Sequence, residues 1–185
     1  MSLLDKISAY CPVNEQEERD KEVMIQFIKE HKDYLDRENQ IGHFSASVWT
    51  VNKERTKVLM VYHNIYDSWA WAGGHADGVE DLSEVALREL KEETGVKNAH
   101  LVSDDIFSLE ILTVDGHVKK GVYVPSHLHL NVTYLAEADE QQKLVVKEDE
   151  NQGVRWCTFE EAVTLPTEPW MVKNVYQKLI SNLEK

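Results

Sequence analysis

The chain predicts an α/β domain, and three observations carry that prediction. A helix with matched start and stop signals runs from Asp81 to Gly95, flanked on both sides by strand-like segments. Before it, two apolar segments face each other across Asn52-Lys53-Glu54-Arg55 as a hairpin. After it, HLHLNVTYLAEA alternates at the period of a strand. Strands on either side of a helix, with a hairpin among them, fit a mixed β-sheet carrying helices. At 185 residues the chain suits an N-terminal helical extension over 1–40 and a main domain over 41–185.

Met1 to Pro12 carries little information. From Glu15 to about Leu35 the chain is dense in charge, with Val23, Met24, Phe27, Ile28, His31 and Leu35 at helical spacing. This predicts an amphipathic helix packed on the domain; the alternative use of the stripe is a homodimer contact. Asp36 to Gln40 reads as a linker. HFSASVWTV then alternates up to the turn, and KVLMVYH is a nearly continuous apolar run, so the second strand of the hairpin is the buried one. Tyr66, Trp69 and Trp71 follow, able either to stack on a base or to fill the gap between helix and sheet.

The helix itself is unusual in where it puts its charges. Asp81 with Glu84 three residues on has the spacing of a capping box, and Gly95 stands where a left-handed residue ends a helix, letting Val96 fold back on Leu90. On a helical wheel Leu82, Val85, Ala86 and Leu90 form one apolar stripe. Glu89, Glu92 and Glu93 fall in or beside that stripe, while Glu84, Leu87 and Lys91 point away. A solvated face would put the acids opposite the leucines, and the helix dipole disfavours acids in the last turn. Three converging carboxylates, two of them an i,i+4 like-charge pair, call for a cation, and oxygen ligands suit Mg²⁺ or Mn²⁺. Arg88 supplies one positive charge, too few to balance three acids.

Beyond the helix, AHLVSDDIFSLEILTV reads as one or two strands, with a turn at Asp115-Gly116. In HLHLNVTYLAEA, His127, His129, Asn131 and Thr133 share one face, expected to line a cleft or meet water. A zinc site is not expected there, since no cysteine or third histidine has matching spacing. KEDENQ is a charged loop, followed by a short strand through Val154-Arg155-Trp156 and a helix from near Thr158. The tail from Pro169 to Leu183 is a closing helix with Val172, Val175, Tyr176, Leu179 and Ile180 inward.

Composition narrows the partners. With 33 acids against 20 bases the net charge is −13, which argues against nucleic acid as a partner. A phosphorylated small molecule would need metal ions and local cations to approach. Cys11 and Cys157 lack CxxC spacing, so a reduced cytoplasmic setting is the default. No apolar run approaches the length of a membrane span, and no secretory leader pattern opens the chain, so no membrane partner is expected.

Gly74, five residues, Glu80, seven residues, then Arg88-Glu89-Leu90-Lys91-Glu92-Glu93-Thr94-Gly95-Val96 resembles the complete signature of the Nudix hydrolases. A chance match is on the order of 10⁻⁹ per start position. The flanking pattern extends the resemblance over roughly residues 42–161. One departure is Ala72, where many members have proline. The resemblance implies an α/β/α sandwich around the mixed sheet and metal-dependent cleavage of a diphosphate linkage in a nucleoside diphosphate derivative. It assigns Glu89, Glu92 and Glu93 to Mg²⁺ or Mn²⁺, with the Gly73 carbonyl as a further ligand, and Arg88 and Glu80 as groups that orient the carboxylates. In the family a loop carboxylate before an Arg-Trp strand often reaches the metal centre; Glu150 is the nearest match, competing with Glu148 and Asp149. The general base is then Glu89 or Glu150. A group of members carries a histidine-rich strand across the substrate cleft, which makes His127 and His129 candidate substrate contacts, with Trp69 as a candidate stacking surface. The alternative is a Nudix-fold domain that binds a nucleotide as a sensor without turnover; such domains commonly lose box carboxylates, and this chain keeps them all.

Overall fold

The computed structural model describes residues 1–119 and 121–183. Two helices, α1 (Leu3–Ala9) and α2 (Glu15–Glu30), precede strands β1 (Gly42–Val51), β2 (Lys57–His63), β3 (Ser68–Ala70) and β4 (Ala72–His75). Helix α3 (Leu82–Thr94) is followed by β5 (Ala99–Leu101), β6 (Ser108–Val114), a small hairpin of β7 (His117–Lys119) and β8 (Val122–Val124), then β9 (His127–Ala138) and β10 (Asn151–Thr158). The chain closes with α4 (Phe159–Thr164) and with α5 (Pro169–Met171), which runs through a π-helical turn (Val172–Tyr176) into α6 (Gln177–Asn182).

The sheet is mixed and centres on β1. β1 runs parallel to β9 from Gly42 opposite Leu128 to Val51 opposite Glu137, and antiparallel to β4, with Ser45 opposite His75 and Val48 opposite Ala72. It meets β2 at Val51 and Val58. The ribbon β3–β4 fills the space where β1 and β2 diverge, while β10 covers the far side of β2.

Because successive side chains on a strand face opposite ways, β1 feeds two cores. Phe44, Ala46 and Val48 join Leu130, Val132 and Tyr134 beneath Leu82, Val85, Ala86 and Leu90 of α3. Trp49 and Val51 join Val58, Met60 and Cys157 against Val175, Tyr176 and Leu179 of the closing helix. Helices on both faces of a mixed sheet are the α/β arrangement that the sequence predicts. β1 is buried at every position instead of alternating, because both its faces are covered.

Several local expectations change. The N-terminal helix stops at Glu30, short of Leu35, and exposes Val23 while burying Met24 and Glu17. Helix α1, in the stretch that carried no signal, sends Leu3 and Ile7 into the same core as α3. Leu87, expected to point outward, packs against that core. The segment around Asp36 to Gln40 is pinned: Arg37 makes a two-pronged ion pair with Asp77, and the Asn39 carbonyl oxygen of its side chain accepts from the Ile41 amide at 3.1 Å. Asp81 caps α3 through the Ser83 amide, with no reciprocal bond from Glu84. Gly95, at φ 73°, ends α3 as expected, and a side chain there would collide with Val145.

The polar face of β9 also departs from expectation. Asn131 and Thr133 neither line a cleft nor meet water; both are fully buried. The reason is β6, which places Glu110 opposite Asn131 and Ser108 opposite Thr133. Asn131 donates to Glu110 Oε2 at 3.1 Å and accepts from Ser47 at 2.8 Å and Ser45 at 3.2 Å. Lys178 of α6 then reaches in, 3.0 Å from both Glu17 and Glu110. Burial alone would raise Glu17, but the Lys178 ammonium and the Tyr10 hydroxyl hold it below the ordinary carboxylate range. Along the outer edge of β6, Gln16 donates to the Leu109 carbonyl at 3.0 Å and Asp20 accepts from the Ile111 amide at 2.9 Å. Helix α2 thus caps backbone groups that an open sheet edge would expose.

Removing the Lys178 ammonium from this seam leaves two buried acids, Glu17 and Glu110, without the cation they share. Lys178→Met should cost about 3–5 kcal/mol of unfolding free energy, read from urea denaturation. A loss below about 1 kcal/mol would mean that the ammonium does not hold the seam together.

Candidate active site

The carboxylates of α3 are positioned by a strand without side chains. Gly73 and Gly74 of β4 lie between β1 and α3. A Cβ on Gly73 would stand 2.6 Å from the Ala46 carbonyl oxygen, and one on Gly74 would stand 2.5 Å from the Glu89 carboxyl carbon. The Gly73 amide donates to Glu93 Oε2 at 2.9 Å, and the Asn151 side chain donates to Glu93 Oε1 at 3.3 Å. Burial outweighs both bonds, which with the charges of Glu89 and Glu150 leaves the Glu93 carboxyl pushed up to about 7. Glu89 is also raised by burial, opposed by Arg88, whose guanidinium donates to it at 3.0 Å and reaches the His75 carbonyl at 3.4 Å.

Glu92 lies at the rim, with its side chain about half exposed. There it meets the loop before β10. Lys147 places its ammonium 3.0 Å from Glu150 Oε2 and 3.6 Å from Glu92 Oε2. The loop is fastened to the end of α3 by the Val145 amide, which donates to the Thr94 carbonyl at 2.8 Å. Glu150 therefore joins the α3 carboxylates, and its charge bears on Glu93. Glu148 and Asp149 are exposed. Lys147 and Asn151 were not singled out in the sequence, although Asn151 directly follows Glu150.

Two expected participants have other partners in the structure. Glu80 accepts from the Leu3 amide at 3.2 Å and so caps α1, with no bond to Arg88. Trp69 has its ring taken by the Arg155 guanidinium, 5.5 Å from the centroid, and by the edge of Tyr62 at 5.4 Å. Tyr66 lies 4.4 Å ring to ring from His63, and burial of its hydroxyl, with the charges of Glu168 and then Glu93, holds it above the ordinary range.

His127 and His129 meet two further histidines, His43 of β1 and His75 of β4. Ring centroids of His43 lie 5.0 Å from those of His75, His127 and His129. Spacing along the chain could not reveal this group, because its members come from three strands that only the sheet register brings together. Burial pushes His75 down to about 3 and His129 down to about 2, with Arg37 adding to both. Arg37 and Lys119 supply positive charge to this end of the cleft.

The profile of the NUDIX domain matches residues 42–179. The bis(5'-nucleosyl)-tetraphosphatase [asymmetrical] of Mus musculus is 32% identical over 97 residues, 52% of this chain and 60% of its own. A CMP-5'-(N-acetyl-N-hydroxy-3-aminopropyl)phosphonate hydrolase of Streptomyces rubellomurinus is 29% identical over 124 residues, 65% of this chain and 54% of its own. The chain thus spans little more than half the length of these curated relatives. Among solved structures, a C. elegans Ap4A hydrolase in a binary complex superposes with a TM-score of 0.53 at 21% identity, over 76% of this chain and 94% of its own. The E. coli dihydroneopterin triphosphate pyrophosphohydrolase gives 0.56 at 17% identity, over 75% and 95%. At these identities the structural likeness is one of fold. The matched region runs from the first residue of β1 into α6 and holds the whole glycine-strand and glutamate-helix arrangement: the chain belongs to the Nudix hydrolase family.

Proposed function

We propose that the chain is a hydrolase that uses Mg²⁺ or Mn²⁺ to cleave a diphosphate linkage in a nucleoside diphosphate derivative. One observation carries the reading: Glu89, Glu92, Glu93 and Glu150 are gathered from the interior to the rim of one site, and the ammonium of Lys147 and the guanidinium of Arg88 are too little charge to balance them. The donors are all hard oxygens, so the residues fit a hard divalent ion. Glu89, Glu92 and Glu93 would hold it, with the Gly73 carbonyl as a further ligand. When bound, such ions neutralise phosphate charge and make water a better nucleophile.

The chain's own residues do the rest. Arg88 fixes Glu89, and the Gly73 amide with Asn151 fixes both oxygens of Glu93, so the ligand set is oriented before substrate arrives. Glu89 or Glu150 takes the proton from the attacking water. Glu150 sits on a loop and is the more exposed of the two, whereas Glu89 is committed to Arg88. Arg37 and Lys119 draw the substrate's phosphates inward despite the net charge of −13. Trp69 and Tyr66 are the candidate stacking surfaces for a base, each already packed on a neighbouring ring. A panel of nucleoside triphosphates, nucleotide sugars, dinucleoside polyphosphates and ADP-ribose, assayed with Mg²⁺, tests the reading and identifies the substrate.

Glu93→Gln keeps the shape and one of the two accepted hydrogen bonds but removes the charge. Turnover on the best panel substrate should fall roughly 10³-fold or more, with divalent-ion affinity falling alongside it and the fold intact by circular dichroism. Parental turnover would make the cluster structural. Glu150→Gln should lower kcat by roughly 10²–10⁴ and remove the acid limb of the pH profile while ion affinity holds, if Glu150 is the base. Glu148→Gln is the control. A loss at Glu148 with none at Glu150 moves the role two residues back.

The elevated Glu93 also predicts a pH dependence in chelator. Its folded value of about 7 lies above the ordinary 4.5, so the folded chain holds this proton more tightly than the unfolded one. That contribution is complete below pH 4.5 and is lost as pH rises through 7, by about 3 kcal/mol at most. Glu89, Glu150, Arg88 and Lys147 face the same group. Urea unfolding from pH 5 to 8 should therefore show a decline that Glu93→Gln removes and that millimolar Mg²⁺ reverses.

A further inference from the structure

The four histidines form a second constellation, on the sheet face opposite α3. His43 alternates with Phe44, which belongs to the α3 core. We propose that His43, His75 and His129 bind a divalent transition-metal ion of the zinc type, with His127 as a fourth nitrogen. Their ligand-capable nitrogens lie within 4.8 Å of one another. The Nε2 atoms of His127 and His129 are 3.2 Å apart, close to the ~3.3 Å that two nitrogens span on one tetrahedral zinc with bonds of about 2.0–2.1 Å. An ion would draw the other nitrogens in by up to about 1.5 Å.

The hydrogen bonds say which sign of ligand these rings expect. His43 Nδ1 lies 3.1 Å from the Asn39 carbonyl oxygen, and His127 Nδ1 lies 2.8 Å from that of Pro125. A carbonyl oxygen only accepts, so each Nδ1 donates, and in the neutral ring Nε2 carries a lone pair. The lone pairs of His43 and His127 repel an anion and attract a cation, and the 3.2 Å contact has His129 Nε2–H donating to His127 Nε2, a proton that an ion would displace. Ligating histidines commonly have their second nitrogen tied to a carbonyl in this way. His43 Nε2 is moreover buried without any hydrogen-bond partner, on a residue that is 2% exposed, an expensive arrangement unless something fills it.

The donor type separates this site from the carboxylate rim. All four donors are imidazoles, and the nearby acid, Asp77, is committed to Arg37. Imidazole suits zinc, copper, nickel or cobalt, whereas magnesium requires oxygen. His75 brings β4, His43 brings β1 and His129 brings β9, so one ion would clamp three adjacent strands immediately after Gly73 and Gly74. The inference stands apart from the proposed hydrolysis, since its residues and its metal are different.

The test is metal binding by the chelator-stripped full chain, dialysed against Zn²⁺ or Co²⁺ with millimolar Mg²⁺ present. One equivalent should be retained by the parent and by Glu93→Gln, with the visible absorption of tetrahedral Co²⁺ and a rise in Tm. His43→Gln/His129→Gln should weaken Zn²⁺ binding by roughly 100-fold or more and abolish both signals. Should that double variant not fold, the half-buried His75→Asn and His127→Asn variants take its place, with loss expected at His75 and weakening at His127. Zinc retained without the histidines but lost in Glu93→Gln, or no zinc retained by the parent, overturns the proposal.

Discussion

The distance between α3 and the sheet depends on two residues that have no side chain. With Gly73 and Gly74 in β4, the strand lies flat between β1 and the helix, and the Glu89 carboxyl group rests where a Cβ on Gly74 would have to be. The contact does more than allow close packing. It turns the Gly73 amide onto the buried Glu93 and leaves the partly buried Glu89 pressed against the strand. Everything unusual about the acids, including the raised proton affinity of Glu93, follows from that proximity. The helix holds its own end: Gly95 turns the chain back, Val96 is buried in the same core as Leu90, and the loop carrying Glu150 is tied to Thr94.

The rest of the molecule is arranged to keep that strand in register. A shift of β1 against β4 or β9 by one residue would exchange its apolar and polar faces. The buried seam of Ser45, Ser47, Asn131, Thr133 and Glu110 makes such a shift costly, because each polar group would lose its partner. Lys178 and Glu17 complete the seam from opposite ends of the chain. The N-terminal helices are thus part of the packing of the domain, through Leu3, Ile7 and Met24 on the α3 side and Glu17 at the seam.

What could be read in advance was what depends on local pattern. The α3 stripe, its glycine stop, the hairpin, the alternation of β9 and the closing helix all rest on periodicity or turn chemistry within a short window. The acids at Glu89, Glu92 and Glu93 stood out because they violated an otherwise regular helix. What could not be read depended on register. The burial of Asn131 and Thr133 needs β6 on one side of β9; the meeting of His43, His75 and His129 needs three strands aligned; the burial of Glu17 needs Lys178 from 161 residues away. Helix α1 is too short to show a period, so the hydrogen bond between its first amide and Glu80 was not foreseen. The hairpin β7–β8 has only three residues per strand and exposed valines, which resemble loop.

Lys147 gives the site a counter-ion of its own. Its ammonium lies between Glu92 and Glu150, on two different segments of the chain, and touches both. A doubly charged ion bound there as proposed would displace a tethered single charge, so its uptake would be an exchange and not a simple filling. The displaced side chain stays attached to the loop, at millimolar effective concentration or above, ready to return when the ion leaves. Lys147 thereby lessens the repulsion between Glu92 and Glu150, while Glu89 and Glu93 keep theirs. Such an exchange would couple ion occupancy to the path of the loop from Lys147 to Glu150, which carries both the displaced ammonium and a carboxylate of the site.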